Sequence, residues 1–474
     1  MSMRDTTLGL AVLALLSACA LEPAPKPADY RVEALAGVHP PDEWTADGAT
    51  TGPVARAWVA TFGDSQLDAL VTEAIANNLD LKVAAARVQV AAEYVKLADS
   101  TLWPQVNLMA RGGGKMGGDS SGLNGAGLYA NWELDLWGRV RSARASTEAT
   151  FESAVADAEY ARQSVAALVA KAYFLAVEAT LQARLAEDTV ATSQQLVTFA
   201  EQRQRVGKGD GYDSAIARGS VESLRDTVEK LTLSRNQALR ALEALVGRYP
   251  VADLEVATQL AQQPGPVPAG LPSELLERRP DVIAAEKRVA AAFYSVQEAK
   301  AARLPSIALT ASVSDISSDL FVLKNSDNPI WSGGASLLQP VFNAGALQTQ
   351  VRIRTAEQKR SIAEYGQVGA RAFAEVEDAL AAEFTASRRE AILLRAVAEN
   401  QAALEFGQQR FKVGSGDMRA VSQQQLAVNG TTSALLRVQS ERLVQRVNLY
   451  LALGGGFELA LACHARIVAD DPKI

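Results

Sequence analysis

The chain contains few of the residues from which zinc and thiolate sites are built. The 474 residues include two His and two Cys, which leaves almost nothing from which to build a zinc or thiolate site. The sequence therefore predicts no metal and no resident cofactor. Three features remain as candidates for chemistry: a cysteine near the N-terminus, charged residues at two glycine-containing turns, and a glycine-rich tail.

Cys19 follows a short apolar segment at the N-terminus. Arg4 precedes the apolar run Leu8–Leu16, which continues into Ser17-Ala18-Cys19. The run is too short to span a bilayer and is typical of a signal peptide, here residues 1–18. Leu-Ser-Ala-Cys resembles the bacterial lipobox, in which the cysteine carries a covalent lipid; the alternative is an ordinary export signal with a chance cysteine. Ala20, where an inner-membrane retention signal would have Asp, favours the outer membrane.

Two turns with similar sequences carry a group of charged residues. Val206–Gly211 reads VGKGDG and Val413–Asp417 reads VGSGD, and Gly207 and Gly414 permit the left-handed conformation that closes a helix end. The charged residues are Arg203, Arg205, Asp210, Asp213, Arg410, Asp417 and Arg419. These side chains either face one another across the two turns or serve as solvated helix caps, because Asp is common at helix starts.

The tail, residues 454–474, reads GGGFELALACHARIVADDPKI. It resembles the glycine-rich oxyanion segment of crotonase-type enoyl-CoA hydratases, in which backbone N–H groups stabilise a thioester oxyanion. About twenty residues cannot form that fold or a CoA pocket, so we expect no enzyme activity. Cys463 and His464 are expected to have no role, and the role of residues 457–474 stays open.

Composition excludes two broad classes of protein. Apolar residues make up 48% of the chain, too many for a disordered protein. The formal net charge is −7 without a basic block, so nucleic acid is not an expected partner. Aromatic residues make up only 6%, and much of the apolar share is alanine, which favours long, closely packed helices.

The chain contains an internal duplication. Asn77–Val88 (NNLDLKVAAARV) matches Arg278–Val289 (RRPDVIAAEKRV), and the pairs Asp80/Asp281 and Pro104/Pro305 each lie 201 residues apart. The later pairs are 207 residues apart: Gly138/Gly345, Gly207/Gly414 and Gly247/Gly454. A repeat of this length with constant internal spacing predicts internal pseudo-symmetry. The longer second copy has its additional residues between its first strand and its long helix.

Each copy is predicted to begin with a helix and two strands. After an extended Pro- and Ala-rich tether over residues 19–57, the first helix is predicted from about Leu67 to Ser100, ending before Pro104. Alternating apolar and polar residues predict strands near 104–113, 124–135, 305–316 and 330–342. Such alternation fits a half-buried soluble sheet or a lipid-facing barrel wall.

A long helix and a return helix are predicted to follow the strands. The proline-free stretches Gly138–Gly207 and Gly345–Gly414 each predict a helix of roughly 100 Å, and Val165, Leu168, Ala172, Leu175 and Ala179 have heptad spacing. Return helices are predicted over 213–246 and 418–453. Four strands cannot close a membrane barrel, which needs about eight, so the strands are expected to pair across three chains.

The order and spacing of these features resemble the TolC-like outer membrane factors, and the details resemble the NodT family of efflux lipoproteins. The matching segments are Cys19, LWPQ before the first strand, WELDLWGRVR and LLQPVFNAGALQTQVR at the strand-to-helix junctions, the RxxVG turns, and LYLALGG near the end. The resemblance implies a homotrimer with a 12-stranded β-barrel in the outer membrane on a 12-helix tunnel in the periplasm.

The resemblance also implies a function and a domain organisation. It implies an exit duct that receives small molecules from a periplasmic adaptor and an inner-membrane pump, expected to be of the proton-driven RND type. The charged residues of the two turns would form a periplasmic gate, although the second turn has Ala420 where the family spacing places Asp. The domains are repeat 1 at 58–250, a linker at 251–272 and repeat 2 at 273–456.

Two other functions are compatible with the sequence. A channel of the same fold could serve type I protein secretion, and a lipid-anchored periplasmic coiled-coil scaffold would have no pore. Neither efflux nor secretion requires nucleotide binding by this chain. The exported compound is not specified by the sequence, because the pump and adaptor are expected to select it.

Overall fold

The computed structural model describes residues 21–47, 52, 57–111, 124–270, 272–317 and 330–455. In chain order its elements are α1 Pro27–Ala34, a 3-10 helix Val59–Phe62, α2 Ser65–Asn77, α3 Leu79–Ser100, β1 Gln105–Arg111, β2 Asn124–Leu134, α4 Arg139–Arg205, α5 Gly211–Val246, α6 Pro272–Arg278, α7 Pro280–Ala301, β3 Ser306–Ser317, β4 Ile330–Leu338, α8 Ala346–Lys412 and α9 Met418–Ala452.

The duplication is visible in the lengths of the helices. Helices α3 and α7 each have 22 residues, and α4 and α8 each have 67. The return helices α5 and α9 have 36 and 35 residues. Each copy therefore consists of a short helix pair, a strand pair, one long helix and one return helix.

The chain divides into two compact units. The first contains residues 1–38, 85–157 and 281–369, and so includes α1 and all four strands. The second contains residues 39–84, 158–280 and 370–474, and so includes α2, α5, α6, α9 and both glycine turns. In the second unit Trp58 stacks on Tyr450 with ring centroids 5.7 Å apart, and Phe62 lies 5.1 Å from Phe174.

The single first helix predicted from Leu67 to Ser100 is two helices. The backbone of Asn78 is extended, with φ −58° and ψ 131°, so the helix is broken between α2 and α3. Asn78 Oδ1 accepts hydrogen bonds from the Asp80 N–H at 2.9 Å and the Leu81 N–H at 3.3 Å. This side chain therefore caps the new helix start, which is the usual role of Asn at such a position.

Within the segment predicted as an extended tether, residues 19–57, the described residues Pro27–Ala34 form the helix α1 instead. Pro27 at the first turn favours helix initiation, and Asp29 Oδ2 accepts a hydrogen bond from the Lys26 N–H at 2.8 Å. Tyr30 and Leu35 of this segment are buried, and the Tyr30 ring packs edge-on against Tyr365. Burial of these side chains stabilises a bound conformation that composition alone does not predict.

The fourth strand is shorter than the predicted range 330–342, because β4 ends at Leu338. Pro340 lacks the N–H group that a strand ladder requires. Val341 and Phe342 beyond it are 92% and 89% exposed and do not belong to the sheet. The other strands lie within a residue or two of the predicted ranges over the described residues.

The heptad seam predicted on α4 is buried at Val165 but exposed at its two leucines. Leu168 and Leu175 are 46% and 49% exposed, whereas Ala166, Ala170 and Phe174 are fully buried. Small residues allow the close helix packing that buries Phe174, so the two leucines are directed away from the core. Helix α4 also contains an 18-residue window of mean hydropathy 1.5, apolar enough to cross a membrane, but half of that window is buried inside the protein.

Candidate functional site

The four strands form one antiparallel sheet in the order β1-β2-β3-β4. Val106 pairs with Ala130, Ala130 with Ala311, and Ala311 with Gly333, so one row of the sheet can be followed across all four strands. The two hairpins of the two copies are therefore joined through β2 and β3. Among the described residues, β1 and β4 each have one edge without a partner strand.

The two faces of the sheet have opposite polarity. One face carries Val106, Leu108, Leu128, Ala130, Trp132, Leu134, Ile307, Leu309, Ala311, Val313, Trp331, Gly333, Ala335 and Leu337. The other, named here the polar face, carries Asn107, Met109, Gly127, Tyr129, Asn131, Glu133, Ser306, Ala308, Thr310, Ser312, Ser314, Ser332, Gly334, Ser336 and Leu338. This assignment to faces follows from the pairing register together with side-chain alternation along each strand.

Neither face of the sheet is covered by the other residues that the structure describes. Among the described side chains of the strands every residue other than Gly127 is at least partly exposed. On the apolar face Leu108 and Trp331 are 73% and 76% exposed. A soluble sheet would bury this face against a core, so the arrangement fits a wall with lipid on one side and water on the other.

Ion pairs and indole hydrogen bonds fix the junction between the sheet and α4. Arg139 Nη2 lies 2.6 Å from Glu133 Oε2, and Arg141 Nε lies 3.1 Å from Asp135 Oδ2. The Trp137 indole N–H donates to the Pro305 carbonyl at 2.7 Å, which ties the first copy to the start of β3 in the second. These contacts set the direction in which the helix leaves the sheet.

The two glycine turns close in the same way. At the first, Gly207 has φ +67° and the Lys208 N–H donates to the Arg203 carbonyl at 2.9 Å. At the second, Gly414 has φ +83° and the Ser415 N–H donates to the Arg410 carbonyl at 3.0 Å. A glycine in the left-handed conformation followed by this hydrogen bond is a common helix C-terminus. Both predicted turns thus have the same backbone form.

Arg203 joins the two turns. Its guanidinium donates to the Phe411 carbonyl at 2.7 Å and to the Lys208 carbonyl at 2.8 Å, and its Cζ lies 4.7 Å from the centroid of the Phe411 ring. Its counterpart Arg410 donates only within its own turn, to the Ser415 carbonyl at 3.4 Å. The second contact between the turns is that of Arg419 with Tyr212, which includes a hydrogen bond and a ring contact.

The two turns are therefore linked through an aromatic ring and backbone carbonyls. Within the described residues no ion pair joins Asp210, Asp213 or Asp417 to the opposite turn. Phe411 and Tyr212 are the cross-turn partners that the sequence analysis did not predict. In the duplication Phe411 corresponds to Gln204, and this replacement of a polar residue by an aromatic one is a sequence signal for Phe411. Arg205 donates weakly to the Glu201 carbonyl of its own helix, at 3.5 Å.

Two of the aspartates have a capping role in this structure. Asp210 accepts a hydrogen bond from the Asp213 N–H at 3.1 Å, and Asp417 accepts one from the Arg419 N–H at 3.0 Å. Burial raises the pKa of Asp213, and the charges of Asp210 and Asp417 raise it further, against an opposing effect of Arg203. Three carboxylates thus lie close enough to influence one another at these helix starts.

A small apolar cluster supports the turns from within. It contains Val197, Ala200, Ala217, Val221, Leu404, Phe411, Met418, Val421 and Val428. Phe411 belongs both to this cluster and to the contact with Arg203, so the cation is held against a buried ring. Movement of one turn relative to the other would have to break the Arg203 contacts first.

The remaining predicted sites lie outside the described residues. These are the lipidation site Cys19 and the tail residues Cys463 and His464. Over the part of the chain that is described, no group of three or more His, Cys, Asp or Glu residues could hold a metal ion.

The sequence was compared with models of known protein families. The family described as outer membrane efflux protein matches residues 70–248 and again residues 271–455, so the same model fits both copies. The chain belongs to the outer membrane efflux protein family. Members of this family are channel proteins.

Relatives of known name agree with this membership. The cation efflux system protein CusC of Escherichia coli is 33% identical over 410 residues, covering 85% of this chain and 88% of that protein. The pyoverdine export outer membrane protein OpmQ of Pseudomonas aeruginosa is 30% identical, covering 97% and 98%. A crystal structure of CusC matches with a TM-score of 0.78 and 30% identity, over 87% of this chain and 100% of that one.

Membership of this family indicates where the sheet and the glycine turns lie in the cell envelope. The protein is an outer-membrane exit channel for efflux, with the fold of the outer membrane factors, and its helical tunnel extends into the periplasm. The sheet is the part of the protomer that crosses the membrane. The glycine turns at the ends of α4 and α8 belong to the helical part.

Proposed function

We propose that three copies of this chain form the exit duct of a tripartite efflux system. The observation that carries the proposal is the sheet: an exposed apolar face, an exposed polar face and two free edges. One copy alone does not meet the needs of this sheet. Its apolar face requires lipid, its polar face requires water, and each edge requires a further strand. Pairing β4 of one copy with β1 of the next would satisfy both edges and give twelve strands, with the apolar face toward lipid and the polar face toward water.

Cross-linking between edge strands tests this arrangement. In a Cys463→Ser background, the pair Asn107→Cys in β1 and Ser336→Cys in β4 should give trimers with a short bis-maleimide. The control pair Asn107→Cys and Tyr129→Cys joins register partners within one chain and should give monomers only. Absence of the trimer with the first pair, in protein that reaches the outer membrane, would contradict the closure.

We further propose that the duct receives its substrates from a periplasmic adaptor and an inner-membrane pump of the proton-driven RND type. Relatives named for cation efflux and for pyoverdine export support an efflux role over protein secretion. Deletion of the gene should raise susceptibility to a panel of small toxic compounds. Unchanged susceptibility together with loss of a secreted protein would support the secretion alternative instead.

The paired turns are proposed as the closable periplasmic end of the duct. The residues are Arg203, Arg205, Asp210, Asp213, Arg410, Asp417 and Arg419, with Gly207 and Gly414 closing the turns. Support comes from the Arg203 and Arg419 contacts, which hold one turn against the other. Arg203→Gln combined with Arg419→Gln should raise conductance in planar bilayers, whereas Arg205→Gln, which lacks a contact across the turns, should change it little. An unchanged current in the double variant would exclude this gate.

Lipid attachment at Cys19 is proposed from the lipobox-like sequence. Cys19→Ser should abolish labelling of the protein by radioactive palmitate. Retained labelling would refute the assignment.

We propose no catalytic activity for this chain. Deletion of residues 457–474 should leave export unchanged, because the crotonase-like tail has neither a surrounding fold nor a CoA pocket. Loss of export on deletion would assign the tail a function in the channel.

A further inference from the structure

We infer that the middle of the membrane wall is electrically neutral toward the water path, so that this part of the duct passes cationic, anionic and uncharged small molecules alike. The inference deepens the proposed function and rests on it, because the polar face lines water only if the barrel closes. It concerns the part of the wall between Glu133 at the helix end of the sheet and Arg111 at its other end.

The polar face carries hydroxyl and amide groups in this middle part. Its polar side chains are Asn107, Tyr129, Asn131, Thr310, Ser312, Ser314, Ser332 and Ser336, interspersed with Met109, Ala308 and glycines. Among the described side chains of this face Glu133 is the one charged group at neutral pH, and it is paired with Arg139.

The hydroxyls of β3 and β4 are bonded to the wall itself. The Ser312 and Ser332 hydroxyl oxygens lie 2.6 Å apart, Thr310 donates to the Gly334 carbonyl, and Ser336 donates to the Ala308 carbonyl, both at 3.4 Å. Thr310, Ser336 and one hydroxyl of the Ser312–Ser332 pair therefore already donate to the wall, and a passing solute would have to displace an existing hydrogen bond to accept from one of them. These groups are uncharged, so they attract cations and anions about equally.

Neutrality matters at this position for an electrostatic reason. A water-filled lumen inside a lipid bilayer has walls of low dielectric constant, which concentrate the field of any fixed charge along the path. Three-fold repetition would place three copies of each side chain at one level. A single carboxylate per chain on the polar face would therefore make a ring that favours cations and repels anions.

Different parts of the duct therefore differ in their effect on charged solutes. The membrane part admits solutes without regard to the sign of their charge, and any preference for charge arises at the rims of the barrel or in the helical part. The class of substrate is thus small, water-soluble molecules of either sign. This fits a family in which relatives are named for export of a cation and of pyoverdine.

A pair of isosteric substitutions tests the inference. Ser332 is exposed on the polar face, and Ser332→Asp and Ser332→Asn differ in charge but hardly in shape. Purified full-length channels are placed in planar bilayers across a KCl gradient, and the ratio of K⁺ to Cl⁻ permeability is obtained from the reversal potential. Thr310→Asp and Thr310→Asn provide a second pair if the first disturbs assembly.

We expect Ser332→Asp to raise the K⁺ to Cl⁻ ratio several-fold over Ser332→Asn, and Ser332→Asn to match the wild-type ratio. The double variant Ser332→Ala with Ser312→Ala should also have the wild-type permeability ratio, because the native hydroxyls do not discriminate between K⁺ and Cl⁻. Equal ratios for the Asp and Asn variants, or a changed ratio in the alanine variant, would overturn the inference. Failure of the wild-type protein to form any channel would instead contradict the proposed function.

Discussion

Gly366 in α8 has the backbone of the N-terminal segment directly against it. A Cβ built at this position would lie 2.8 Å from the Ala34 carbonyl carbon and 3.3 Å from the Ala34 Cα, closer than real Cβ atoms approach backbone carbon without displacement. The neighbouring Tyr365 packs edge-on against Tyr30, with centroids 5.3 Å apart. The segment Pro27–Leu35, named here the strap, is therefore fixed by one glycine and one ring pair.

Gly366→Ala should displace the strap, since the obstructing atoms belong to backbone. We expect faster proteolytic cleavage within Pro27–Leu35, measured by limited proteolysis and mass spectrometry of the purified protein. Gly430→Ala in α9 is the matched control, because nothing lies within 4 Å of its Cβ position. The control should stabilise its helix by about 0.5–1 kcal/mol and leave the strap protected. Equal cleavage in the two variants would contradict the account.

Asp213 makes the stability of the turns depend on pH. Its pKa is raised in the folded turn, first by burial and then by the charges of Asp210 and Asp417. The folded turn therefore binds this proton more readily than the unfolded chain does. Stability of the turn should increase as the pH falls through the raised pKa and decrease as the pH rises through it.

At neutral pH, Asp213→Asn removes the repulsion between this carboxylate and those of Asp210 and Asp417. We expect slower proteolysis at Val206–Gly211 than in the wild type at pH 7, and a loss of the difference at acid pH where Asp213 is protonated. Asp226→Asn, an acidic residue farther along α5, serves as the control and should change neither rate. A pH dependence retained in full by Asp213→Asn would exclude this carboxyl as its source.

At the scale of elements, the break at Asn78 separates α2 from α3. Besides capping α3, Asn78 donates from Nδ2 to the Leu245 carbonyl at 3.1 Å, which attaches the break to the end of α5. Asn78→Ala should lower the free energy of unfolding by about 1 kcal/mol through the lost cap. Asn78→Asp should recover only part of that loss, because it retains the capping oxygen but replaces the Nδ2 donor by an oxygen that faces the Leu245 carbonyl. Denaturant unfolding of the purified protein checks both, and Asn77→Ala, whose side chain is exposed, should be close to neutral.

Most elements were predictable because their determinants are local. The absence of proline between Gly138 and Gly207 and strict alternation in the strands required no tertiary information. Strand β4 ends before the alternating pattern does, because Pro340 has no N–H group to continue the ladder. The break at Asn78 carried a capping residue in the sequence. The strap has a helix-start signal in Pro27 and Asp29, but its packing depends on Tyr365 and Gly366, more than three hundred residues away.

The candidate site was predictable to a smaller extent. The charged residues of both turns were found from composition and spacing, and their glycines have the expected left-handed conformation. Sequence could not identify Phe411 and Tyr212 as the cross-turn partners, because that pairing depends on how two distant helix ends pack. The polarity of each sheet face was predictable from alternation, but the row-by-row register was not.

At the scale of the whole molecule, Leu168 and Leu175 on α4 are apolar side chains without cover in one copy. If the trimer forms as proposed, these two leucines are a natural contact between copies, since burying the exposed half of each contributes roughly 1 kcal/mol. Leu168→Gln with Leu175→Gln should weaken the trimer in mild detergent while helix content by circular dichroism stays the same. Alanine at both positions should weaken it less than Gln does. A trimer of unchanged stability with Gln at both positions would place the contact elsewhere.

The equal length of α4 and α8 has a consequence for how such a gene can change. Each helix starts at the end of a strand of one continuous sheet and ends at a turn that touches the other turn through Arg203 and Phe411. A codon gained or lost in one helix alone would misalign the two turns. Changes of length are therefore expected to be inherited in pairs, one in each half of the gene, while single insertions accumulate between β3 and β4.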